Sequence, residues 1–222
     1  MKSKPTIKQN KKNKLTKTTI LWSLFLLVIV VSLGFYMFQY NIGPFKGDKI
    51  GGLQDNHLRT LSSTGEPHTL PFDFYGEYEL NYEGKGVELY LDYYEAGSKT
   101  DSQLLTSIST EGQFNFGGLL FWGVTPAREE DPSEFEDIFA KMNLSFSQSS
   151  TRTAMDFFPQ TNEGAYAYVT PSDGSKVLTK DKPLMLLSYT SDGSTYSTYE
   201  DFFNGDTPKN NDTFLLLYLL PI

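Results

Sequence analysis

The reading of the fold turns on residues 78–94, Tyr-Glu-Leu-Asn-Tyr-Glu-Gly-Lys-Gly-Val-Glu-Leu-Tyr-Leu-Asp-Tyr-Tyr. Large apolar or aromatic residues alternate with polar ones from Tyr78 to Tyr82, and alternation resumes from Val87 to Tyr94. A period of two is the mark of a strand with unlike faces, because successive side chains leave the backbone in opposite directions. The intervening Glu83-Gly84-Lys85-Gly86 supplies glycines where a chain can reverse, so the sequence predicts a β-hairpin. On its second strand Val87, Leu89, Leu91 and Tyr93 share one face, and Glu88, Tyr90, Asp92 and Tyr94 share the other.

The same texture extends outward in both directions from about Phe72 to the end of the chain. Short runs rich in Tyr, Phe, Val, Leu and Thr are separated by Gly, Asp, Ser and Pro clusters. Further strands are predicted at 104–109, 113–116, 119–124, 143–147, 165–170, 176–178, 184–190 and 214–220. The string Ser-Asp-Gly-Ser occurs at 172–175 and again at 191–194, where Asp-Gly provides the positive φ of a tight turn. Neither copy has the spaced oxygen ligands and closing Glu of a calcium loop. Residues 184–187 and 214–220 are continuously apolar, which predicts strands covered on both faces in the middle of the fold. One helix is predicted from Asp131 as N-cap, with Pro132 in its first turn and Phe135, Ile138, Phe139 and Met142 on one face. A second short helical turn is expected over 198–203. The fold class is therefore mainly β, an antiparallel β-sandwich or barrel-like domain with one or two short helices.

A different solvent is written into the N-terminus. Residues 19–38, TILWSLFLLVIVVSLGFYMF, carry no charge and would reach about 30 Å as a helix, the thickness of a hydrocarbon core. Seven lysines and no acids fall within residues 1–18, leaving 12 basic against 27 acidic residues downstream, a net of −15. Lysines on one side only place the N-terminus in the cytoplasm and the remainder outside. Trp22 lies near one boundary, with Tyr36 and Tyr40 near the other, where amphipathic rings favour the interface. A cleaved signal peptide is disfavoured: the apolar run is long, and it ends in Phe-Tyr-Met-Phe-Gln-Tyr, without the small residues a signal peptidase needs. The span holds no Asp, Glu, Lys, Arg or His, so transport by this chain alone is not indicated.

The chain thus divides into a basic cytoplasmic tail (1–18), a transmembrane helix (19–40), an extracytoplasmic linker rich in Gly and Pro (41–71) and a β-rich extracytoplasmic domain (72–222). Leu53, Leu58 and Leu61 offer the linker one short docked turn. His57 and His68 also fall in the linker, and their spacing does not bring two imidazoles to one helix face.

Catalytic inventory is thin. The chain has no cysteine, which removes thiolate chemistry and disulfides, and no GxSxG, SxxK, HExxH or phosphate-loop motif. The acids Glu129, Glu130, Asp131, Glu134, Glu136 and Asp137 could supply a glycosidase pair, but at the start of a helix they are stabilised by its dipole without any function. No cofactor or metal is implied, and the acidic balance of the domain argues against nucleic acid. The ligand-binding candidates are aromatic: Tyr90 and Tyr94 beside Asp92, and Tyr166 and Tyr168 in Ala-Tyr-Ala-Tyr-Val. Such rings give broad contact area with a hydroxyl for hydrogen bonding, suited to a protein partner or a cell-surface glycan. Trp122 is expected in the core. The expectation is a single-pass membrane-anchored domain acting as a non-catalytic binding or accessory subunit of a cell-envelope assembly. The alternatives are a cell-wall glycan binder or hydrolase using carboxylates, and a structural subunit whose helix is the working surface.

Overall fold

The computed structural model describes residues 17–61, 72, 74–125, 137–145, 147–154, 165–168, 174–190 and 213–222. The uncharged N-terminal run forms helix α1 (Lys17–Gln39), long and apolar enough to cross a membrane. Its C-terminus closes on Asn41, whose φ of 53° is left-handed. The Ile42 N–H donates to the Met37 carbonyl at 2.8 Å and the Asn41 N–H to the Phe38 carbonyl at 3.3 Å, the paired bonds that satisfy orphan carbonyls at a helix end. A 3₁₀ turn over Gly43–Phe45 follows.

The described residues after it form nine strands: β1 (His57–Thr60), β2 (Phe74–Glu95), β3 (Ser98–Val124), β4 (Asp137–Leu144), β5 (Ser147–Ala154), β6 (Ala165–Tyr168), β7 (Ser175–Val177), β8 (Leu184–Thr190) and β9 (Thr213–Pro221). All pair antiparallel in one sheet of order β5-β4-β3-β2-β9-β8-β6, with β1 and then β7 beside the first half of β2.

The hairpin expected at 83–86 is not formed. Strand β2 runs through it for 22 residues, and its register with β3 breaks at a bulge there: Gly84 pairs with Phe114 and Gly86 with Ser109, so Lys85 alone lies opposite four residues of β3, 110–113. The alternation of β2 inverts across this break, so Leu80 and Tyr82 before it face the same core as Val87, Leu89 and Leu91 after it. Glycine is required at 86, where a Cβ would stand 2.5 Å from the Ile108 carbonyl oxygen and 2.8 Å from Ser109 Cα. The bulge is clamped by the last residue. The Ile222 carbonyl accepts from the N–H groups of Lys85 at 2.7 Å and Gly86 at 3.2 Å, and the Ile222 N–H donates to the Gly86 carbonyl at 2.9 Å. The reversal lies instead at Ala96-Gly97, both with positive φ (50° and 75°), between the paired Glu95 and Ser98. Strand β3 then absorbs the three strands expected at 104–109, 113–116 and 119–124.

The helix expected from Asp131 is also corrected. Asp131, Pro132 and Phe135 lie outside the described residues, but 137–144 form strand β4. Ile138, Ala140, Met142 and Leu144 are buried in strict alternation, while Phe139 and Lys141 take the other face. Pairing on both edges decides it: Ala140 lies opposite Trp122 of β3 and Thr151 of β5. The strand expected at 143–147 straddles the β4–β5 turn, where Ser145 has a φ of 35°. The turn expected over 198–203 lies outside the described residues.

Strands β8 and β9 stand as the sequence implies. Strand β9 lies between β2 and β8, and residues 214–219 are all buried. Leu215, Leu217 and Leu219 join the main core with Trp122, Tyr78 and Phe116, and Phe214, Leu216 and Tyr218 join a second cluster on the opposite face. Within the stretch read as linker, β1 pairs with β2 and with β7, and Leu53 and Leu58 are buried. Gly174, in the first Ser-Asp-Gly-Ser string, has the expected positive φ of 69°. The string at 191–194 lies outside the described residues.

Candidate functional site

Burial of alternate residues dictates what the other face of the sheet displays. With Leu120, Trp122 and Val124 of β3 turned into the core, Leu119 and Phe121 point away from it. With Ile138, Ala140 and Met142 of β4 turned in, Phe139, Lys141 and Asn143 point away. The register sets Phe121 between Glu77 of β2 and Lys141 of β4, and Phe139 beside Arg152 of β5. Phe72 lies over Gly123, where a Cβ would meet its ring at 2.5 Å, so the missing side chain makes room for the ring.

These residues bound a cleft of about 620 Å³, lined by Phe72, Phe121 and Phe139 together with Glu77, Lys141 and Arg152. The three phenyl rings touch one another, with centroids 5.3 Å (Phe72 to Phe121), 6.0 Å (Phe121 to Phe139) and 6.1 Å (Phe72 to Phe139) apart. Tyr75 extends the row, stacked on Phe121 at 6.4 Å. One wall is polar: Arg152 donates from Nε to Asp137 Oδ2 at 2.8 Å, which holds the guanidinium at the rim. The chemistry on offer is apolar contact flanked by charges of both signs, the composition of a recognition surface. Among the described residues no cluster of three or more His, Asp or Glu is arranged to hold a metal ion. His57 sits on β1 with Nδ1 2.8 Å from the Asp55 carbonyl, and His68 lies outside the described residues.

The residues singled out from sequence fall in two separate places. Tyr90, Asp92 and Tyr94 share one face of the second half of β2, as the alternation implies, opposite the main core. Tyr90 is half-buried and stacks on Tyr218 at 5.5 Å. Its hydroxyl donates to Glu88 Oε2 at 2.9 Å, and this bond, reinforced by burial and by the charges of Glu88 and Asp92, raises the phenol above its ordinary pKa of 10.0. Tyr94 is buried edge-on against Phe214 at 5.7 Å. Asp92 has no exposed surface and accepts from Ser102 Oγ at 2.6 Å, Lys99 Nζ at 3.1 Å and Tyr94 Oη at 3.4 Å. Tyr166 and Tyr168 belong to β6, opposite Tyr189 and Leu187, and β8 and β9 stand between β6 and β2. Trp122 is in the core, its Nε1 donating to Tyr78 Oη at 3.3 Å.

Phe72, Phe121 and Phe139 were not anticipated as a site. The alternation around Trp122 could have placed Phe121 outward, but reading 131–142 as a helix put Phe139 on a buried face. Comparison with protein-family models, curated proteins and solved structures found no match.

Proposed function

We propose that this chain is a single-pass membrane protein that presents its β-domain outside the cell and works by binding, as a non-catalytic accessory subunit of a cell-envelope assembly. The observation that carries the reading is that the β-sheet fills its own core without using α1. Apart from the half-buried Met37, the large apolar side chains of α1 are 45% to 69% exposed, while strands from β1 to β9 share one buried cluster. Exposed apolar surface on that scale needs a covering, and a helix of 23 residues, about 34 Å long, matches a bilayer. The seven lysines before it favour an N-terminus in the cytoplasm. A sandwich or barrel-like closure of the sheet belongs to the same proposal, and the buried clusters on its two faces support it.

The contact surface in this proposal is the cleft of Phe72, Phe121 and Phe139, and its occupant an apolar segment of a partner protein. Contiguous rings in a concave site favour that chemistry, because each ring offers apolar area at small entropic cost. A glycan is the second reading, favoured by Glu77 and Asn143 as hydrogen-bonding groups along the same cleft. Protease added to sealed cells should degrade the β-domain and leave the lysine tail intact; the reverse pattern overturns the orientation. A photo-crosslinking phenylalanine analogue at position 139, in intact membranes, should give a discrete protein adduct that the same analogue at Thr100 does not. Equal labelling from both positions sinks the cleft as the contact surface, and a polysaccharide adduct transfers it to the second reading.

A further inference from the structure

The chain between helix and sheet is bound at every step. Asn41, the left-handed closing residue of α1, is only 3% exposed, and its Nδ2 donates to the Leu53 carbonyl at 2.8 Å and to Asp55 Oδ1 at 3.0 Å. The Tyr40 carbonyl accepts from the Gly52 N–H at 2.8 Å. On the far side of the same loop, Asn81 of β2 accepts from the Ile50 N–H at 2.8 Å and donates to the Ile50 and Leu53 carbonyls, each at 2.9 Å. Lys49 pairs with Asp55 at 2.8 Å. Two buried asparagines therefore connect the end of the helix to the middle of a central strand through a single loop. A flexible tether would hold the domain away from the membrane at a variable angle; this junction holds it close and at one angle.

Closeness has a consequence for the turn at Gly43–Phe45. Pro44 presets its φ, and the turn folds the chain back beside the helix, so that the Phe45 ring meets Phe38 edge-on at 5.6 Å. Phe38 belongs to the last turn of α1 and is 62% exposed, and Phe45 is 45% exposed. Tyr36 and Tyr40 pack at 4.7 Å at the same level of the helix, and the exposed Lys46 follows Phe45 directly. An aromatic ring continuous with the lipid-facing surface of a helix, followed at once by a cation, is the composition that settles between acyl chains and phosphates.

We propose that the turn Gly43–Phe45 with Lys46 is a second membrane contact, seated in the headgroup layer of the outer leaflet, which with the Asn41–Asn81 junction fixes the orientation of the β-domain on the bilayer. The inference rests on α1 being a transmembrane anchor. Its occupant is the phospholipid surface, argued from continuity with the apolar face of α1 and from the charge of Lys46 against phosphate.

The absence of cysteine makes the test clean. Single-cysteine variants of the full chain, Phe45→Cys, Lys46→Cys, Leu27→Cys and Thr100→Cys, are labelled with an environment-sensitive fluorophore. They are then reconstituted in phosphatidylcholine–phosphatidylglycerol vesicles carrying nitroxide lipids. Thr100 is exposed and lies near the far end of β2, between Lys99 and Asp101, which pair with Tyr94 and Tyr93, so it reports on bulk solvent. Lys46→Cys keeps the Phe45 ring in place, so the outcome does not depend on that contact surviving substitution. Labels at 45 and 46 should be quenched by shallow nitroxides at least two-fold more than the label at 100, and the label at 27 should be quenched best by deep ones. If 27 is quenched but 45 and 46 behave like 100, the headgroup contact is wrong while the anchor stands. That pattern is also the outcome if a protein surface, not lipid, covers the turn. If 27 is not quenched either, the anchor itself fails and the inference with it.

Discussion

Asp92 shows how a single side chain constrains the reading of its neighbours. A carboxylate without exposed surface is tolerated only where its oxygens are matched, and here they accept from Ser102, Lys99 and Tyr94. Lys99 remains 44% exposed, which shields the ion pair and leaves the short bond from Ser102 as the stronger local tie. Asp92→Ala should lower unfolding stability by about 2 kcal/mol, the range for hydrogen bonds to a charged group, read as a lower urea midpoint at unchanged slope. Ser102→Ala should cost about 1 kcal/mol, and an Asp92→Ala midpoint equal to wild type would show that these bonds contribute nothing net. Which face Asp92 takes was legible, because Val87 to Tyr94 alternates. That this face is also buried was not, since Phe214, Leu216 and Tyr218, which complete the second cluster, are distant in sequence.

At the scale of elements, the sequence was readable where one pattern excluded its rivals and unreadable where two patterns shared the same residues. The continuously apolar β8 and β9 admitted only the interior of a sheet, and they lie there. Glu83-Gly84-Lys85-Gly86 suits a turn or a bulge equally, and the choice is made by Ile222, which arrives from the end of the chain to bond Lys85 and Gly86. Residues 138–142 carry both periods at once. Ile138, Phe139 and Met142 define a helix face, and Ile138, Ala140 and Met142 define a strand face, so the neighbouring strands β3 and β5 decide. The same ambiguity hid the cleft, because Phe139 belongs to the core in the first pattern and to the cleft in the second. A pair of substitutions reads the difference directly. Ala140→Glu, neutral on an outward helix position, should cost more than 3 kcal/mol here by burying a charge without a partner opposite Trp122. Phe139→Ser should perturb the urea midpoint far less while removing a wall of the cleft, and equal losses from the two would argue against the strand register.

The whole molecule combines an acidic surface with a tyrosine-rich sheet, and together these give its stability a direction in pH. Three phenols of β2 are raised above 10.0: Tyr82 by burial and then by the charge of Asp181, Tyr90 by its bond to Glu88, and Tyr93 by burial, aided by Glu95 and opposed by a bond to Thr213. Each is therefore harder to ionise in the folded chain than in the unfolded one. Their contribution is fully present below the unfolded value near 10 and is lost as pH rises through the higher folded values. Ionisation would also add negative charge to a chain whose formal net charge is already −8, so the two effects act in the same sense. The urea midpoint should be steady up to about pH 9 and fall beyond about pH 10. Phenolate absorbance at 295 nm, followed on the folded chain, should include a component that titrates later than free tyrosine. Tyr90→Phe tests the cause: removing that phenol should make the alkaline fall shallower while leaving the neutral-pH midpoint within about 1 kcal/mol of wild type. A Tyr90→Phe chain that loses stability with pH as steeply as wild type would withdraw the Glu88 bond as a source of the alkaline sensitivity.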